Sequence, residues 1–315
     1  MTDTLLVSRA LPDSVMAAAR ARFDVNCRDT TQPMDLAECR AALARYDVVL
    51  PTLGDAFGAD AFDGDIRAAG LANFGVGYNH IDVGAAKAAG LVVTNTPGAV
   101  TDATADIAMT LILMTARRAG EGERLVRSGR WEGWHPVQML GLHVTGKTLG
   151  VIGMGRIGQA IAHRCRHGFG MDVVFHNRSE KTVEGARQLG SVTEVCAAAD
   201  IVVTAVPASP ETFHIVDAEA LAAMRPHAIL INIARGDVVD EAALIEALQA
   251  RRIAGAGLDV YENEPRVPEA LRACESAVLL PHLGTATLEV REAMGRMALD
   301  NAIAIAEGRT PPNAL

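Results

Sequence analysis

Three short stretches late in the chain carry residues that could transfer a proton to an anionic substrate. "NIARGDVVD", "YENEP" and "LLPHLG" contain Arg235, Glu264 and His282. An arginine can bind a carboxylate in a fork and polarise the neighbouring carbonyl. A histidine can exchange a proton near neutral pH, and a glutamate can fix its tautomer and favour its charged form. The trio predicts reduction of a carbonyl, with His282 protonating the nascent alkoxide. The residues alone also allow ordinary structural roles: Arg235 could cap a helix, His282 could be a core residue, and Glu264 could be solvated.

A glycine-rich turn predicts a dinucleotide site. "GVIGMGRIGQAIA" fits G-x-G-x-x-G at Gly153, Gly155 and Gly158, after the apolar strand "TLGVI" and at the start of a helix. The first glycine permits the tight turn, the second lets the backbone approach a pyrophosphate, and the third lets the helix pack on the strand. With Arg156 and Ile157 between them, these residues form the predicted phosphate-binding loop. The alternative is a glycine-rich turn that binds no ligand.

The next strand ends in "VVFHNRS", where a cofactor site often carries an acidic residue. Such a residue, about 20 positions after the glycines, would bind the ribose 2′-OH and repel a 2′-phosphate. Asp172 begins the strand and therefore lies at its wrong end, whereas Asn177, Arg178 and Ser179 stand where the strand stops. A guanidinium and a hydroxyl suit a phosphate dianion, so we predict a preference for NADP(H), with NAD(H) possible. The alternative is Arg178 stacked on the adenine of NAD(H), with Asn177 serving the 2′-OH.

These residues depend on strands that alternate with helices in both halves of the chain. That alternation predicts parallel sheets with helical crossovers, and ligands of such sheets bind at the carboxyl ends of the strands. Between the halves, residues 101–128 are predicted to form one long helical segment with apolar residues around most of its circumference. The stretch "RWEGWHPVQMLGLHVTG" follows as an irregular arm that contains both tryptophans, Trp131 and Trp134.

Composition limits the class of protein. The 315 residues suit two domains of about 150 residues each, and the net charge of −9 argues against a nucleic-acid surface. The five cysteines are odd in number and form no CxxC pair, so we expect buried, reduced thiols and a cytoplasmic protein. No signal-peptide pattern opens the sequence, and its apolar runs are too short to span a membrane. The histidines lack metal-ligand spacing, so no metal is predicted.

Five stretches together resemble the D-isomer-specific 2-hydroxyacid dehydrogenase family. They are "GVGYNHID", "GKTLGVIGMGRIGQ", "ILINIARGDVVDEAAL", "AGAGLDVYENEP" and "LLPHLGTAT", which cover the chain from about Asn73 to Thr287 in the family's order. Within the family, "NTPGAVTDATADIA", "RSGRWEGWHP" and "FHNRS" are most similar to the glyoxylate/hydroxypyruvate reductases. One departure is Asn79, where many members carry aspartate.

The resemblance implies roles for residues that spacing alone does not assign. Arg235 would bind the substrate, Glu264 would hold the histidine, and His282 would donate the proton. The backbone of Val76 and Gly77 would bind the substrate carboxylate, with Leu53 lining the pocket. Asp259 would hold the nicotinamide carboxamide and Thr104 would face the cofactor. Further expected cofactor contacts are Val206, Pro207, Ile233, Ala234, His282 and Gly284.

The resemblance also implies an architecture. We expect an α/β fold of two Rossmann-like, doubly wound parallel-sheet domains with the active site in the cleft between them. The predicted substrate domain is 1–98 plus 286–315, and the NAD(P)-binding domain is 99–285. The helix and arm at 101–146 would pair two copies as a homodimer. The tryptophans of the arm are expected at the interface, and Trp134 is a candidate to reach the partner's active site.

The resulting hypothesis is an NADPH-preferring reductase of small 2-oxo acids, with glyoxylate and hydroxypyruvate as the first candidates. One alternative is a broader 2-oxo acid reductase, of the phenylpyruvate or 2-ketogluconate type. Another, from a different class, is a non-enzymatic, NAD(H)-binding protein that acts as a transcriptional corepressor. Turnover of a 2-oxo acid would separate the enzymes from the corepressor.

Overall fold

A computed structural model describes residues 2–315 as two compact α/β units. The first unit comprises residues 2–100 and Thr285–Leu315, and the second comprises Thr101–Gly284. Each has one parallel sheet, as expected for two Rossmann-like domains. In the described part of the chain, every helix is too short or too polar to cross a bilayer.

The first unit is a five-stranded sheet with helices around it. Its strands are β1 (Thr4–Val7), β2 (Asp24–Cys27), β3 (Val48–Leu50), β4 (Gly70–Ala72) and β5 (Val92–Thr94), in the order β2-β1-β3-β4-β5. All pairs are parallel. Its helices are α1 (Asp13–Arg22), α2 (Leu36–Arg45), α3 (Val83–Ala88) and the last helix of the chain, α11 (Leu288–Ala306).

Helix α11 returns to pack on the first sheet through close backbone approaches. A Cβ on Gly295 would lie 2.8 Å from a methyl carbon of Val15 in α1, and one on Gly70 would lie 2.3 Å from the Val92 carbonyl oxygen. The buried Asn301 donates a hydrogen bond to the Asn95 carbonyl at 3.2 Å. The helix therefore belongs to the core of the first unit although the second unit precedes it in the chain.

The second unit contains a larger sheet of seven parallel strands. They are β6 (Thr148–Ile152), β7 (Asp172–His176), β8 (Ala186–Gln188), β9 (Ile201–Thr204), β10 (Ile229–Asn232), β11 (Gly255–Leu258) and β12 (Ala277–Leu279), in the order β12-β11-β10-β9-β6-β7-β8. Its helices are α4 (Thr101–Ala116), α5 (Ala119–Arg127), α6 (Arg156–Phe169), α7 (Val192–Ala198), α8 (Ala218–Ala223), α9 (Glu241–Gln249) and α10 (Glu269–Arg272).

Both faces of this sheet are covered, which explains its continuous apolar strands. Val202 and Leu230 pack into one hydrophobic cluster, whereas Val203 and Ile231 pack into a second cluster. Because successive side chains of a strand point to opposite faces, a strand buried on both sides reads as an unbroken apolar run. The strand order brings the carboxyl ends of β6, β9, β10 and β11 next to one another.

Two local predictions were wrong, and two strands were not predicted. The helical segment at 101–128 is two helices, because Arg118 adopts a left-handed conformation (φ 53°) between α4 and α5. Strands β2 and β8 were not predicted, since both are edge strands with the polar sequences "DVNC" and "ARQ". Cys27 and Cys274 are half-buried, whereas Cys39, Cys165 and Cys196 are buried as expected.

The arm after α5 exposes apolar side chains. No helix or strand forms between 128 and 147, and Gly141 returns the chain against the end of α4, where Leu142 N–H donates to the Ala116 carbonyl at 2.7 Å. Large side chains along the arm are unusually exposed: Trp131 (51%), Trp134 (78%), Val137 (70%) and Leu140 (68%).

Candidate active site

The loop that carries Arg235 is held against the segment that leads to Glu264. Arg235 follows β10, and Gly236 opens a short 3₁₀ turn at Gly236–Val238. A Cβ on Gly236 would lie 1.8 Å from the carbonyl carbon of Tyr261 and 2.2 Å from the nitrogen of Glu262. Only glycine allows this backbone contact, which explains why Arg235 is followed by glycine.

Asn232 fixes the same loop from inside the unit. Its side-chain nitrogen donates to the Arg235 carbonyl at 2.8 Å, while its oxygen accepts from the Ala234 N–H at 3.0 Å and from the Thr204 hydroxyl at 2.6 Å. The residue is almost fully buried. Sequence reasoning missed it, although a polar residue at the end of the apolar strand "ILIN" was a usable signal.

Arg235 supplies a half-buried positive charge. Burial lowers the pKa of its guanidinium, whereas the negative charges of Glu264 and Asp237 act in the opposite direction. An arginine remains protonated at any physiological pH, so the side chain is a permanent cation in a poorly hydrated place. One of its Nη atoms donates to the Ala234 carbonyl at 2.7 Å.

Glu264 and His282 form a close acid–base pair. His282 Nδ1 lies 2.9 Å from Glu264 Oε2, and the other carboxylate oxygen accepts the Tyr261 N–H at 3.1 Å. Burial alone would raise the pKa of Glu264, but the hydrogen bond and charge of His282, the Tyr261 N–H and Arg235 together hold that pKa below its ordinary value. An ionised carboxylate only accepts hydrogen bonds, so Nδ1 carries a proton. The Nε2 atom is left as the nitrogen that can act on a substrate.

The backbone at His282 is set by Asp259. His282 adopts a left-handed conformation (φ 56°), which is uncommon for a residue with a Cβ and is often found at functional sites. Its N–H donates to the Asp259 carbonyl at 2.9 Å, and the Asp259 carboxylate accepts the N–H groups of Leu283 (2.7 Å) and Gly284 (2.8 Å). Thr104 donates to the Gly284 carbonyl at 3.3 Å.

Four of the predicted cofactor residues thus lie together: Thr104, Asp259, His282 and Gly284. Burial raises the pKa of the Asp259 carboxyl, against the effect of the Leu283 N–H and of His282. Its two backbone hydrogen bonds give Asp259 a role in positioning His282 that sequence reasoning did not foresee. A carboxylate has further lone pairs, so a second role toward a carboxamide remains open to it.

The glycine loop fits a pyrophosphate. Gly153 has φ 98°, and a Cβ there would lie 2.6 Å from a methyl carbon of Val206. A Cβ on Gly158 would lie 2.2 Å from the Gly153 carbonyl oxygen, whereas one on Gly155 would meet nothing within 4 Å. No side chain caps α6, whose first N–H groups can therefore bind an anion. The three glycines have the geometry predicted for them.

The turn after β7 has an internal support that sequence reasoning missed. Asn177 donates to the Ser179 carbonyl and hydroxyl, at 3.1 and 3.2 Å. Gln188 of β8 donates to the carbonyls of Asn177 and Ser179 and accepts the Lys181 N–H. The Lys181 ammonium donates to the Met154 carbonyl in the glycine loop at 2.8 Å. Arg178 and Ser179 are exposed at the tip of this turn.

The predicted substrate-binding residues Leu53, Val76 and Gly77 lie in the first unit, after the carboxyl ends of its strands. The Leu53 carbonyl accepts a hydrogen bond from Arg9. The Val76 carbonyl accepts from Asn95 at 2.9 Å, and the Gly77 carbonyl accepts from Asn73 at 3.1 Å. Among residues 2–315, neither the Val76 nor the Gly77 N–H donates a hydrogen bond to another group. Two free backbone donors in succession suit an anionic ligand.

Comparison with known proteins shows which family and which proteins the chain is similar to. Residues 109–284 match the family model described as "D-isomer specific 2-hydroxyacid dehydrogenase, NAD binding domain". A glyoxylate reductase of Thermococcus onnurineus is 40% identical over 320 residues, which cover 99% of this chain and 95% of that protein.

Solved structures share the whole fold. A protein from Thermus thermophilus matches with a TM-score of 0.93 at 41% identity, covering 99% of both chains. An NADPH-dependent glyoxylate/hydroxypyruvate reductase from Sinorhizobium meliloti, in complex with NADP and malonate, matches with a TM-score of 0.90 at 35% identity, covering 100% of this chain and 97% of that one.

Proposed function

The chain belongs to the D-isomer specific 2-hydroxyacid dehydrogenases, a family of NAD(P)-dependent enzymes, and from this membership we propose that it reduces small 2-oxo acids to D-2-hydroxy acids. Glyoxylate and hydroxypyruvate are the first candidate substrates. Two named relatives support them: the archaeal glyoxylate reductase and the bacterial glyoxylate/hydroxypyruvate reductase.

The observation that carries the proposal is the His282–Glu264 pair beside the Arg235 loop. When bound, a reduced nicotinamide supplies the hydride that the keto carbon of the substrate accepts. His282 Nε2 gives its proton to the keto oxygen as negative charge develops there, and the imidazole becomes neutral. Glu264 favours the imidazolium before this step because its carboxylate accepts a hydrogen bond from Nδ1, 2.9 Å away. Arg235 binds the carboxylate of the substrate and polarises the adjacent carbonyl.

The first unit contributes to the proposal as the substrate-binding domain. The free N–H groups of Val76 and Gly77 are proposed to bind a substrate carboxylate, and Leu53 is proposed to line the pocket. The second unit is proposed as the NAD(P)-binding domain, with the glycine loop, Thr104, Val206, Pro207, Ile233, Ala234, Asp259 and Gly284 as cofactor contacts.

We also propose that NADP(H) is preferred over NAD(H). Arg178 and Ser179 offer a guanidinium and a hydroxyl at the end of β7, and no acidic side chain stands at 177–179 to repel a 2′-phosphate. The Lys181 ammonium adds a positive charge beside the glycine loop. A relative in the family is described as NADPH-dependent, which supports the same preference.

A homodimer through residues 101–146 completes the proposal. The exposed Trp131, Trp134, Val137 and Leu140 would leave a large apolar surface in water if the arm had no partner. Such patches mark interaction sites in proteins.

The decisive experiment combines a substrate panel with one substitution. Glyoxylate, hydroxypyruvate, phenylpyruvate and 2-ketogluconate would each be assayed with NADPH and with NADH by loss of nicotinamide absorbance. We expect the highest kcat/KM with a small substrate and NADPH. His282→Ala should lower kcat by about 10²–10⁴, the usual contribution of a positioned acid, while cofactor affinity is retained.

Several outcomes would change the assignment. A maximum with phenylpyruvate or 2-ketogluconate would indicate the broader reductase. Cofactor binding without turnover of any acid would point to a non-enzymatic protein. Near-normal kcat in His282→Ala, where the chemical step limits the rate, would refute His282 as the proton donor.

A further inference from the structure

A second histidine–carboxylate pair lies among the same loops. His214 Nε2 is 2.7 Å from Glu262 Oε1, a shorter contact than that between His282 and Glu264. His214 belongs to the loop after β9, and Glu262 belongs to the loop after β11. Both side chains are mostly buried. The proposed reaction does not use this pair.

Glu262 occupies the middle of the segment that carries Glu264. On one side, its backbone nitrogen and the Tyr261 carbonyl carbon lie against Gly236, next to Arg235. On the other side, Tyr261 N–H holds the Glu264 carboxylate. The Glu262 carboxylate itself accepts the Glu241 N–H at the start of α9, at 3.1 Å. A shift of Glu262 would therefore displace both the loop of Arg235 and the carboxylate of Glu264.

His214 is bonded to the Arg235 loop as well. Its N–H donates to the Asp237 carbonyl at 2.8 Å, and the Val216 N–H donates to the Val238 carbonyl at 3.1 Å. Its backbone is left-handed (φ 48°), and its ring stacks on Phe213 with 3.9 Å between the ring centroids. One residue therefore contacts the loop of Arg235 through its backbone and the loop of Glu264 through its ring.

The groups around the His214 ring are acidic. Besides Glu262, Asp240 lies 4.0 Å from Nδ1, and the buried Glu241 adjoins Glu262. The Glu262 carboxylate accepts the hydrogen bond from Nε2, and this bond fixes the ring rather than leaving it free to turn.

We propose that His214 is a positioning residue, which acts through Glu262 to keep Glu264 against His282 and beside Arg235. The inference rests on the proposed function, since it assumes that His282 is the proton donor. It adds that the Glu264 carboxylate is held in place by a hydrogen bond made two residues earlier in the chain.

The chain offers a closely matched control. His227 Nε2 also lies 2.7 Å from a carboxylate, that of Asp200, in the same unit. That pair stands at the amino ends of the strands, because Asp200 immediately precedes β9. Both pairs join a histidine to a carboxylate at the same distance, but only the His214 pair adjoins the candidate active site.

The experiment compares His214→Ala, His214→Gln, Glu262→Gln, Glu264→Gln and His227→Ala. The pH profile of kcat for glyoxylate reduction and hydrogen exchange of residues 259–265 without cofactor would be measured for each. His214→Ala should lower kcat roughly 2- to 30-fold, the range for residues that act through neighbours, and move the basic limb to lower pH. Its exchange at 259–265 should become faster. His214→Gln should restore much of both, because its amide can donate to Glu262. His227→Ala should change neither.

Two results would overturn the inference: equal profiles and exchange rates in His214→Ala and His227→Ala, or no rescue by His214→Gln. If His214→Ala does not fold, Glu262→Gln tests the same contact from its other side and should reproduce the shifted limb. The proposed function fails separately, if Glu264→Gln leaves the basic limb in place. The exchange rates would then still decide whether His214 holds the loop.

Discussion

At the scale of single residues, Glu264 connects two kinds of support. One carboxylate oxygen binds the imidazole of His282, and the other accepts a backbone N–H from its own loop. The second bond fixes the carboxylate so that its charge faces the imidazole at one distance and angle. Such a fixed anion stabilises the imidazolium more than a mobile one would.

Replacing Glu264 by Gln tests that charge. The amide keeps the shape of the side chain but removes the anion that favours the protonated imidazole. Because reduction needs protonated His282, the basic limb of its pH profile should move to lower pH. Oxidation needs the neutral ring, so the acidic limb of the reverse reaction should move in the same direction. Steady-state rates in both directions would check this, and opposite shifts would contradict the pairing.

Residue types and places after apolar strands suggested Arg235, Glu264 and His282 as a catalytic trio, and the family resemblance selected that role over ordinary structural ones. The structure brings Glu264 and His282 within 2.9 Å. The sequence did not predict Asn232, the positioning bonds of Asp259 or the support from Gln188. Each of these acts by hydrogen bonds to residues elsewhere on the sheet, and such partners appear only when the strand order is known. The close approach at Gly236 was hidden for the same reason, since its neighbour Tyr261 is 25 positions away in sequence.

At the scale of elements, the two ends of the second sheet have different roles, one in the candidate site and one in stability. The carboxyl ends hold the candidate site. At the amino end, Asp200 precedes β9 and accepts hydrogen bonds from the Thr148 N–H at 2.9 Å, from Arg225 at 2.9 Å and from His227 at 2.7 Å. This one carboxylate therefore joins the start of β6 to the loop before β10.

Asp200→Asn should reveal how much this joint stabilises the unit. Burial would raise the pKa of Asp200, but its bonds to His227, Thr148 and Arg225 outweigh burial and lower that pKa from 3.8. The ionised form therefore stabilises the fold above the ordinary pKa, and that stability is lost as the pH falls through the folded-state pKa. We expect a loss of roughly 1–3 kcal/mol at neutral pH, which shrinks in acid.

Thermal or urea unfolding at several pH values would measure this difference. Asp172→Asn is the matched control, because Asp172 is exposed at the start of β7, also at the amino ends of the strands. A pH-independent difference between Asp200→Asn and the wild type would contradict the role of the charge.

The turn between β7 and β8 carries the prediction about the cofactor. Arg178→Ala should raise the KM for NADPH and leave the KM for NADH almost unchanged, because only NADPH has the 2′-phosphate. Loss of a charge-assisted fork should cost about 1.5–3 kcal/mol of binding. Arg187→Ala, in the neighbouring strand β8, removes the same charge from an exposed place and is the control. A wild-type enzyme that prefers NADH would refute the proposal.

Elements were predictable where both faces are buried and ambiguous where they are not. The unbroken apolar runs of β9 and β10 are recognisable as buried strands in the sequence. Strands β2 and β8 pair with one neighbour each, and their side chains are partly exposed, so they lack such a run. The break between α4 and α5 has no proline or glycine at its centre, since it falls on Arg118. The Ala116 carbonyl at the end of α4 accepts the Leu142 N–H, a contact that the local sequence does not reveal.

At the scale of the whole molecule, the apolar arm predicts association. Val137→Asp combined with Leu140→Asp should give a monomer by light scattering, because two charges would then enter an apolar interface. Leu288→Asp is the control, since Leu288 is also exposed but lies at the first position of α11 in the other unit. An unchanged dimer in the double variant would place the interface elsewhere.

The return of α11 to the first sheet has a consequence for synthesis on the ribosome. The second unit is one uninterrupted stretch, so its core can close as soon as Gly284 has emerged. The first unit begins earlier but lacks α11, whose buried Met294, Ala298 and Leu299 belong to its core. The nascent first unit therefore stays incompletely folded, without α11 on its sheet, while some 180 further residues are translated. Chaperones that bind exposed apolar segments would find their target in the first unit. A chain that stalls on the ribosome after Gly284 would have a complete second unit and an incomplete first unit.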